Sequence, residues 1–272
     1  CLIATMFWVL MPEFIKEGRL CWLRAPLYRL SKGDKRVFAY DDKELVELRK
    51  KYPNWEQGRN KGLGEMSRIY HRFYNNNLIR GRYKTEKRPL LINSWEAAYF
   101  DFNEEKLVRF AENAKEMGIE MLVMDDGWFG NRFDDNRALG DWEVNEEKLQ
   151  GGLKHLVDEV NKLGLKFGIW FEPEMISPES KLYEEHPDWA FTVPGRVPGL
   201  ARNQLVLDIS REEVADYIFE KMAKVLHSAN IEYVKWDMNR PLADIASAAL
   251  PKERQGEIFH RYVLGVYRMQ ER

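Results

Sequence analysis

The chain has 272 residues, with 44% hydrophobic and 32% charged residues and a mean hydropathy of -0.54, values of a soluble globular protein with one large core or two smaller ones. They exclude a disordered tail and a membrane protein, and the apolar opening Cys1 to Met11 falls short of the ~20 residues that cross a bilayer. That opening also lacks the basic start of a secretory signal and is read as a buried element. Two cysteines, Cys1 and Cys21, make no disulfide framework, and His71, His155, His186, His227 and His260 show no ligand-pair spacing. The expectation is a reducing, cytoplasmic setting without metal or cofactor. The net charge of -2 hides an asymmetry: residues 1–88 hold 20 Lys/Arg against 10 Asp/Glu, and residues 89–272 hold 22 against 34.

The first 66 residues follow no regular rhythm. Thr5 to Phe14 and Leu20 to Arg24 are apolar, a short hairpin turns at Lys32-Gly33-Asp34, and Asp41-Asp42 caps a helix over Lys43 to Tyr52. From residue 89, short apolar runs alternate with helical patterns, which argues for a parallel sheet wrapped by helices. Pro89 to Trp95 reads as a strand, and Asn103 caps a helix that runs to Met117-Gly118. Ile119 to Met124 is a strand ending in Asp125-Asp126-Gly127-Trp128. Leu153 to Leu163 is a helix stopped by Gly164, and Lys166 to Phe171 is a strand ending in Glu172-Pro173-Glu174. Gln204 to Ile209 is a short strand, Arg211 to Ala229 a helix, Ile231 to Asp237 a further strand and Lys252 to Arg272 a last amphipathic helix. Four or five such units make about half of a (β/α)₈ barrel, which takes about 250 residues and eight strands. The fold class expected is α/β: an incomplete (β/α)₈ TIM barrel preceded by a small α+β fragment.

Side chains alternate along a strand, so Lys235, Asp237 and Asn239 share one face and Val234, Trp236 and Met238 the other. A lysine beside a carboxylate keeps it ionised, as attack on an anomeric carbon requires; a structural ion pair at a strand end fits the same residues. The same alternation puts Trp170, Glu172 and Glu174 on one face if that strand continues. Acids at strand ends with Trp alongside suit a sugar, because carboxylates accept from hydroxyl pairs and indole rings cover the apolar ring face. A Mg²⁺ or Ca²⁺ site is the rival, which the accompanying Trp and Lys disfavour.

These residues, together with Ser67-Arg68, His71-Arg72, Asn93-Ser94-Trp95-Glu96-Ala97, Phe100-Asp101-Phe102, Asp125 to Gly130, Gly140-Asp141-Trp142, Gly168 to Met175, Arg202 to Asp208 and Lys235 to Arg240, occur in one order. Over about residues 67–272 the sequence closely resembles the catalytic domain of family 36 retaining α-galactosidases. The resemblance implies that Asp237 is the nucleophile that forms a galactosyl-enzyme intermediate. Asp125 and Asp126 would hold galactose hydroxyls, Trp95 and Trp142 would line the pocket, and Trp170 would face the sugar. Arg202, Lys235 and Asn239 would complete the site. The expected partners are α-galactoside oligosaccharides of raffinose or melibiose type. A retaining glycosidase also needs a second carboxyl about 5–5.5 Å from the nucleophile. In the family it lies on a later strand, after the helix matching Gly256 to Arg272, so the expectation for this chain is little or no turnover.

The first part resembles something else. Thr5 to Trp8, Met11-Pro12-Glu13, Ala25 to Arg29, Tyr40 to Leu45 and Lys61 to Met66 are similar to the distal Toprim region of the B subunit of bacterial type II topoisomerases, without its metal-binding acids or its ATPase domain. Three segments follow: residues 1–66 as that fragment, 67–88 as a basic connection, and 89–272 as the first half of the barrel. The join near Gly64 to Arg68 reads as a fusion of unrelated frames. Besides glycoside hydrolysis, two functions are weighed: duplex DNA binding by the basic residues 1–88, for which a solvated surface is the blander account, and galactose binding without hydrolysis. An apolar flank and open strand edges would favour self-association.

Overall fold

A computed structural model of the chain describes residues 26–59 and 63–272, with side chains from residue 67 onward in the second stretch. The expectations for Cys1 to Met11, Thr5 to Phe14, Leu20 to Arg24 and the two cysteines lie outside the described residues. The chain divides into two compact units, Cys1–Lys87 and Arg88–Arg272.

In the first unit, β1 (Tyr28–Lys32) and β2 (Lys35–Ala39) form the expected hairpin, with Lys32 opposite Lys35. Gly33 takes φ +59° in the two-residue loop, where a tight hairpin turn requires a positive value. Asp41 caps α1 (Asp42–Lys51), its carboxylate accepting from the Lys43 and Glu44 amides at 3.0 and 2.9 Å. A third strand, β3 (Glu56–Arg59), which the sequence reading missed, pairs with the other side of β1. Its four residues, Glu-Gln-Gly-Arg, carry no alternation. Leu30 and Ala39 are fully buried between these elements. Then α2 (Leu63–Phe73) runs into a single π turn over Tyr74–Leu78.

The second unit is built on β4 (Leu91–Asn93), β5 (Met121–Met124), β6 (Lys166–Phe171) and β9 (Tyr233–Trp236), a parallel sheet in the order β4-β5-β6-β9. Every residue of β5 is buried, as in parallel sheets covered on both faces. Expected strand Pro89 to Trp95 is shorter than its apolar text, because Ser94 starts a helical turn and Trp95–Ala98 becomes α3. The next helix, α4 (Glu104–Glu116), is capped by Asn103, which accepts from the Lys106 amide at 2.9 Å. It closes on Gly118 at φ +78°, with Gly118 N–H donating to Lys115 O and Ile119 N–H to Ala114 O, the paired hydrogen bonds of a left-handed cap. After it come α5 (Gly152–Lys162), β7 (Met175–Ile176), α6 (Lys181–Glu185), β8 (Leu205–Val206), α7 (Glu212–His227) and α8 (Ile258–Glu271).

One strand departs from expectation. The segment Gln204 to Ile209 does not join the parallel sheet: its β8 pairs antiparallel with β7 in a separate two-stranded sheet. Pro173, without an N–H, ends the β6 ladder just after Phe171, and the chain makes an excursion before α7 returns it to β9. The parallel sheet therefore has four strands. The last helix also starts later than read, after a 3₁₀ stretch over Lys252–Glu257. Gly265 in α8 lies so close to the Ile209 carbonyl that an added Cβ would sit 2.1 Å from that oxygen. Gly265→Ala should lower stability by about 1–3 kcal/mol, read as a lower urea midpoint, because backbone rather than a flexible side chain has to yield. Among the described residues no helix is long and apolar enough to cross a membrane.

Candidate active site

The C-terminal ends of β4, β5, β6 and β9 bring the polar residues together. Asp237 follows β9 directly, and its amide continues the ladder by donating to Phe171 O at 2.8 Å. Its Oδ2 accepts from Trp170 Nε1 at 3.0 Å and from Asn239 Nδ2 at 2.8 Å, while Oδ1 accepts from the Met238 amide at 3.1 Å. Lys235 does not bond Asp237. Its amine donates to Asp125 Oδ2 at 2.8 Å, the same oxygen that accepts from Asn93 Nδ2 at 2.5 Å. Asp126 is held by Arg132, whose Nε and NH2 donate to its two oxygens at 3.0 and 2.8 Å. Burial draws the Asp237 carboxyl upward, but the bonds from Asn239 and Trp170 and the charge of Lys235 outweigh it, so its pKa lies below the usual carboxylate value.

The face expected for Trp170, Glu172 and Glu174 splits, because β6 stops at Phe171. Glu172, 1% exposed, accepts from the Asn239 amide at 2.7 Å and from Gln204 Nε2 at 3.1 Å, on the Asp237 side. Glu174 turns the other way, where it accepts from Trp236 Nε1 at 2.7 Å and from the Tyr262 hydroxyl. Burial pushes the Glu172 carboxyl up to about 7, and the charges of Asp237 and Asp126 add to the rise. A carboxyl raised on folding contributes stability that is complete below its unfolded value near 4.5 and is lost as pH climbs through about 7. Glu172→Gln should remove that slope. Urea titrations on both sides of the window should show the parent chain losing about 3 kcal/mol relative to the variant as pH rises.

Two tryptophans expected at the sugar are core residues. Trp142 and Trp170 are each 1% exposed and pack with Trp128, Phe129 and Phe171 in one aromatic layer. Trp142 Nε1 has no partner among the described residues. Trp170 meets the site through its indole N–H rather than its ring face. Trp95 is half-buried, its ring edge-on to Tyr99 and Phe100 at 5.2 Å, and its amide donates to Asn93 Oδ1 at 2.8 Å. Arg202 is exposed on a tight turn in which both it and Asn203 have positive φ, +52° and +58°. From that turn it is Gln204 that reaches inward, to Glu172. Sequence reasoning missed Arg132 and Gln204 as parts of the cluster. The available signal was the Asp125-Asp126 pair, since two adjacent carboxylates can be buried only if each finds a cation or donors. Among the described residues no group of three or more His, Cys, Asp or Glu is arranged to hold a metal ion.

A family model described as Melibiase matches residues 56–272. The chain belongs to the Melibiase family. The match opens at Glu56, the first residue of β3, ahead of Ser67 where the sequence resemblance begins. Curated relatives of this Melibiase chain include alpha-galactosidase AgaA of Geobacillus stearothermophilus, 59% identical over 77% of this chain and 29% of that protein. Another is alpha-galactosidase Mel36A of Lactobacillus acidophilus, 55% identical over 76% of this chain and 28% of that protein. Among solved structures, GH36 alpha-galactosidase AgaB from Geobacillus stearothermophilus is 56% identical with a TM-score of 0.74 over 80% of this chain and 30% of that one. A variant of AgaA from the same organism in complex with raffinose aligns with the same identity, TM-score and coverage. The chain spans about 30% of the length of the relatives it matches. Its four-stranded parallel sheet thus resembles part of the GH36 (β/α) barrel.

Proposed function

We propose that this chain carries the nucleophile and much of the galactose-binding wall of a retaining α-galactosidase acting on terminal α-D-galactosyl residues of raffinose-type or melibiose-type sugars. The observation that carries the reading is the Asp237 carboxylate, half-buried, kept ionised and, among the described residues, with Oδ1 bonded only by its neighbour's amide at 3.1 Å. In the first step Oδ1 attacks the anomeric carbon and the glycosidic C–O bond breaks, the leaving oxygen taking a proton. In the second, water attacks the same carbon, the ester bond breaks, and the configuration is retained after two inversions. Asp125, Asp126, Asn239, Lys235, Arg202 and Trp95 take the sugar hydroxyls and ring, and Trp170 positions Asp237. Glu172 and Glu174 each accept from two internal donors, and neither is assigned proton transfer. Residues 1–55, ahead of the Melibiase match, are read apart from this as a Toprim-like fragment, although β1 pairs with β3 inside the match.

The test uses an activated aryl α-galactoside whose phenolate leaves without protonation. Formation of the ester needs only Asp237, and none of the described residues is assigned as the general base for its hydrolysis, help worth about 10²–10⁴-fold, so the ester should accumulate. Intact mass should rise by one galactosyl group, mapped by peptide sequencing to Asp237. A label on any other residue, or no label on a chain that binds galactose, would overturn the reading.

A further inference from the structure

The Asp125-Asp126 pair is buried, the two residues 3% and 7% exposed, yet each carboxylate meets a different cation. Asp125 has Lys235, whose side chain is 35% exposed; Asp126 has Arg132, whose side chain is 1% exposed. Arg132 is fixed from several sides. Its NH1 donates to Arg137 O at 2.8 Å and its guanidinium lies 5.6 Å from the Phe100 ring centre. Its own carbonyl accepts from Lys148 Nζ at 3.2 Å, and that amine also donates to Phe100 O at 2.9 Å while lying over the rings of Phe102 and Phe133. Lys148 thus ties the loop bearing Arg132 to the loop after α3.

We propose that Arg132 is a positioning residue for sugar recognition, fixing the plane of the Asp126 carboxylate and keeping it an acceptor for a pair of neighbouring galactose hydroxyls. An ionised carboxylate offers about four lone-pair sites. The Arg132 fork occupies one on each oxygen and the Gly127 amide also faces the carboxylate, so the sites left for sugar lie in the plane that the guanidinium sets. Hydroxyls on adjacent sugar carbons can approach two such sites together. Without the fork the carboxylate turns freely and, buried beside Asp125, takes up a proton; it would then present a donor where an acceptor is needed. Burial already pushes the Asp126 carboxyl upward, and Arg132 is the largest influence opposing that rise.

The inference rests on the reading of Asp126 as a sugar ligand. Galactose affinity is measured by calorimetry, and labelling of Asp237 by the activated galactoside gives a half-saturation concentration and a maximal rate separately. Arg132→Met should raise the galactose Kd and the half-saturation concentration about tenfold or more, the loss of charge-assisted bonds, while leaving the maximal labelling rate unchanged. Arg132→Lys, which keeps the charge and loses the fork, should fall between the two. A folded Arg132→Met chain with parental Kd, or one in which only the maximal rate falls, overturns the proposal. Should Arg132→Met fail to fold, parental affinity in Arg132→Lys overturns it instead. A parent chain that binds no galactose fails the reading of the site itself, an outcome distinct from a parent that binds and a variant that binds equally well.

Discussion

Replacing Asp237 with asparagine should abolish labelling by the activated galactoside while the chain stays folded. In Asp237→Asn the donors now facing Oδ2, Trp170 Nε1 and Asn239 Nδ2, can be met by the oxygen of the new carboxamide, and only the bond from the Met238 amide is lost. One such bond is worth about 1 kcal/mol, so the thermal transition moves little. The neutral amide does not attack an anomeric carbon, and the labelling rate should fall on the order of 10⁴-fold. Persistent labelling in a folded Asp237→Asn chain would assign the nucleophile elsewhere. Galactose affinity should survive the change, because the hydroxyl-binding acids, Asp125 and Asp126, have their own partners.

Asp126→Ala has the largest expected effect on stability. It strands the Arg132 guanidinium, 1% exposed, without the carboxylate that both its Nε and NH2 engage. Arginine cannot shed its proton at accessible pH, so the variant either buries an uncompensated charge or rebuilds the loop. Removing one partner of a buried pair costs about 3–5 kcal/mol, which urea unfolding at neutral pH would register directly. Arg132→Met should cost less, since the carboxyl it leaves behind can neutralise itself by protonation. Equal losses in the two variants would mean that packing, and not charge, sets the stability of this loop.

Local signals in the sequence were legible where one residue decides the backbone. Asn103 marks a helix start, Gly118 and Gly164 mark helix ends with positive φ, and Gly33 marks the hairpin, each for a steric or bonding reason confined to a few residues. The limits of β6 were read to the residue, because Lys166 and Glu172 bracket an unbroken run without charge. Partners were not legible. Gln204 to Ile209 has the look of a sheet strand, yet its β8 pairs with β7, a partner that lies beyond the Pro173 break in β6. Trp142 and Trp170 were placed at a sugar through the family resemblance, yet an indole serves a core as well as a platform, and here five aromatic rings bury one another. Lys235 was expected to keep Asp237 ionised, and its charge does lower that carboxyl, but its amine makes its hydrogen bond to Asp125. Arg132 sits in an irregular loop, where no periodicity announces which way a side chain turns.

The join of β9 to β6 has a consequence for how mutations will be tolerated. Trp170 lies opposite Lys235, Phe171 opposite Trp236, and the Asp237 amide takes the next carbonyl. The chemistry of the site is therefore indexed to a two-residue repeat, and a slip of one position would present Trp236 in place of the nucleophile. Insertions and deletions within Tyr233–Trp236 should be lethal to labelling even where each substituted residue is apolar and well packed. Length changes in the exposed loop around Val197, itself 92% exposed, leave that count untouched.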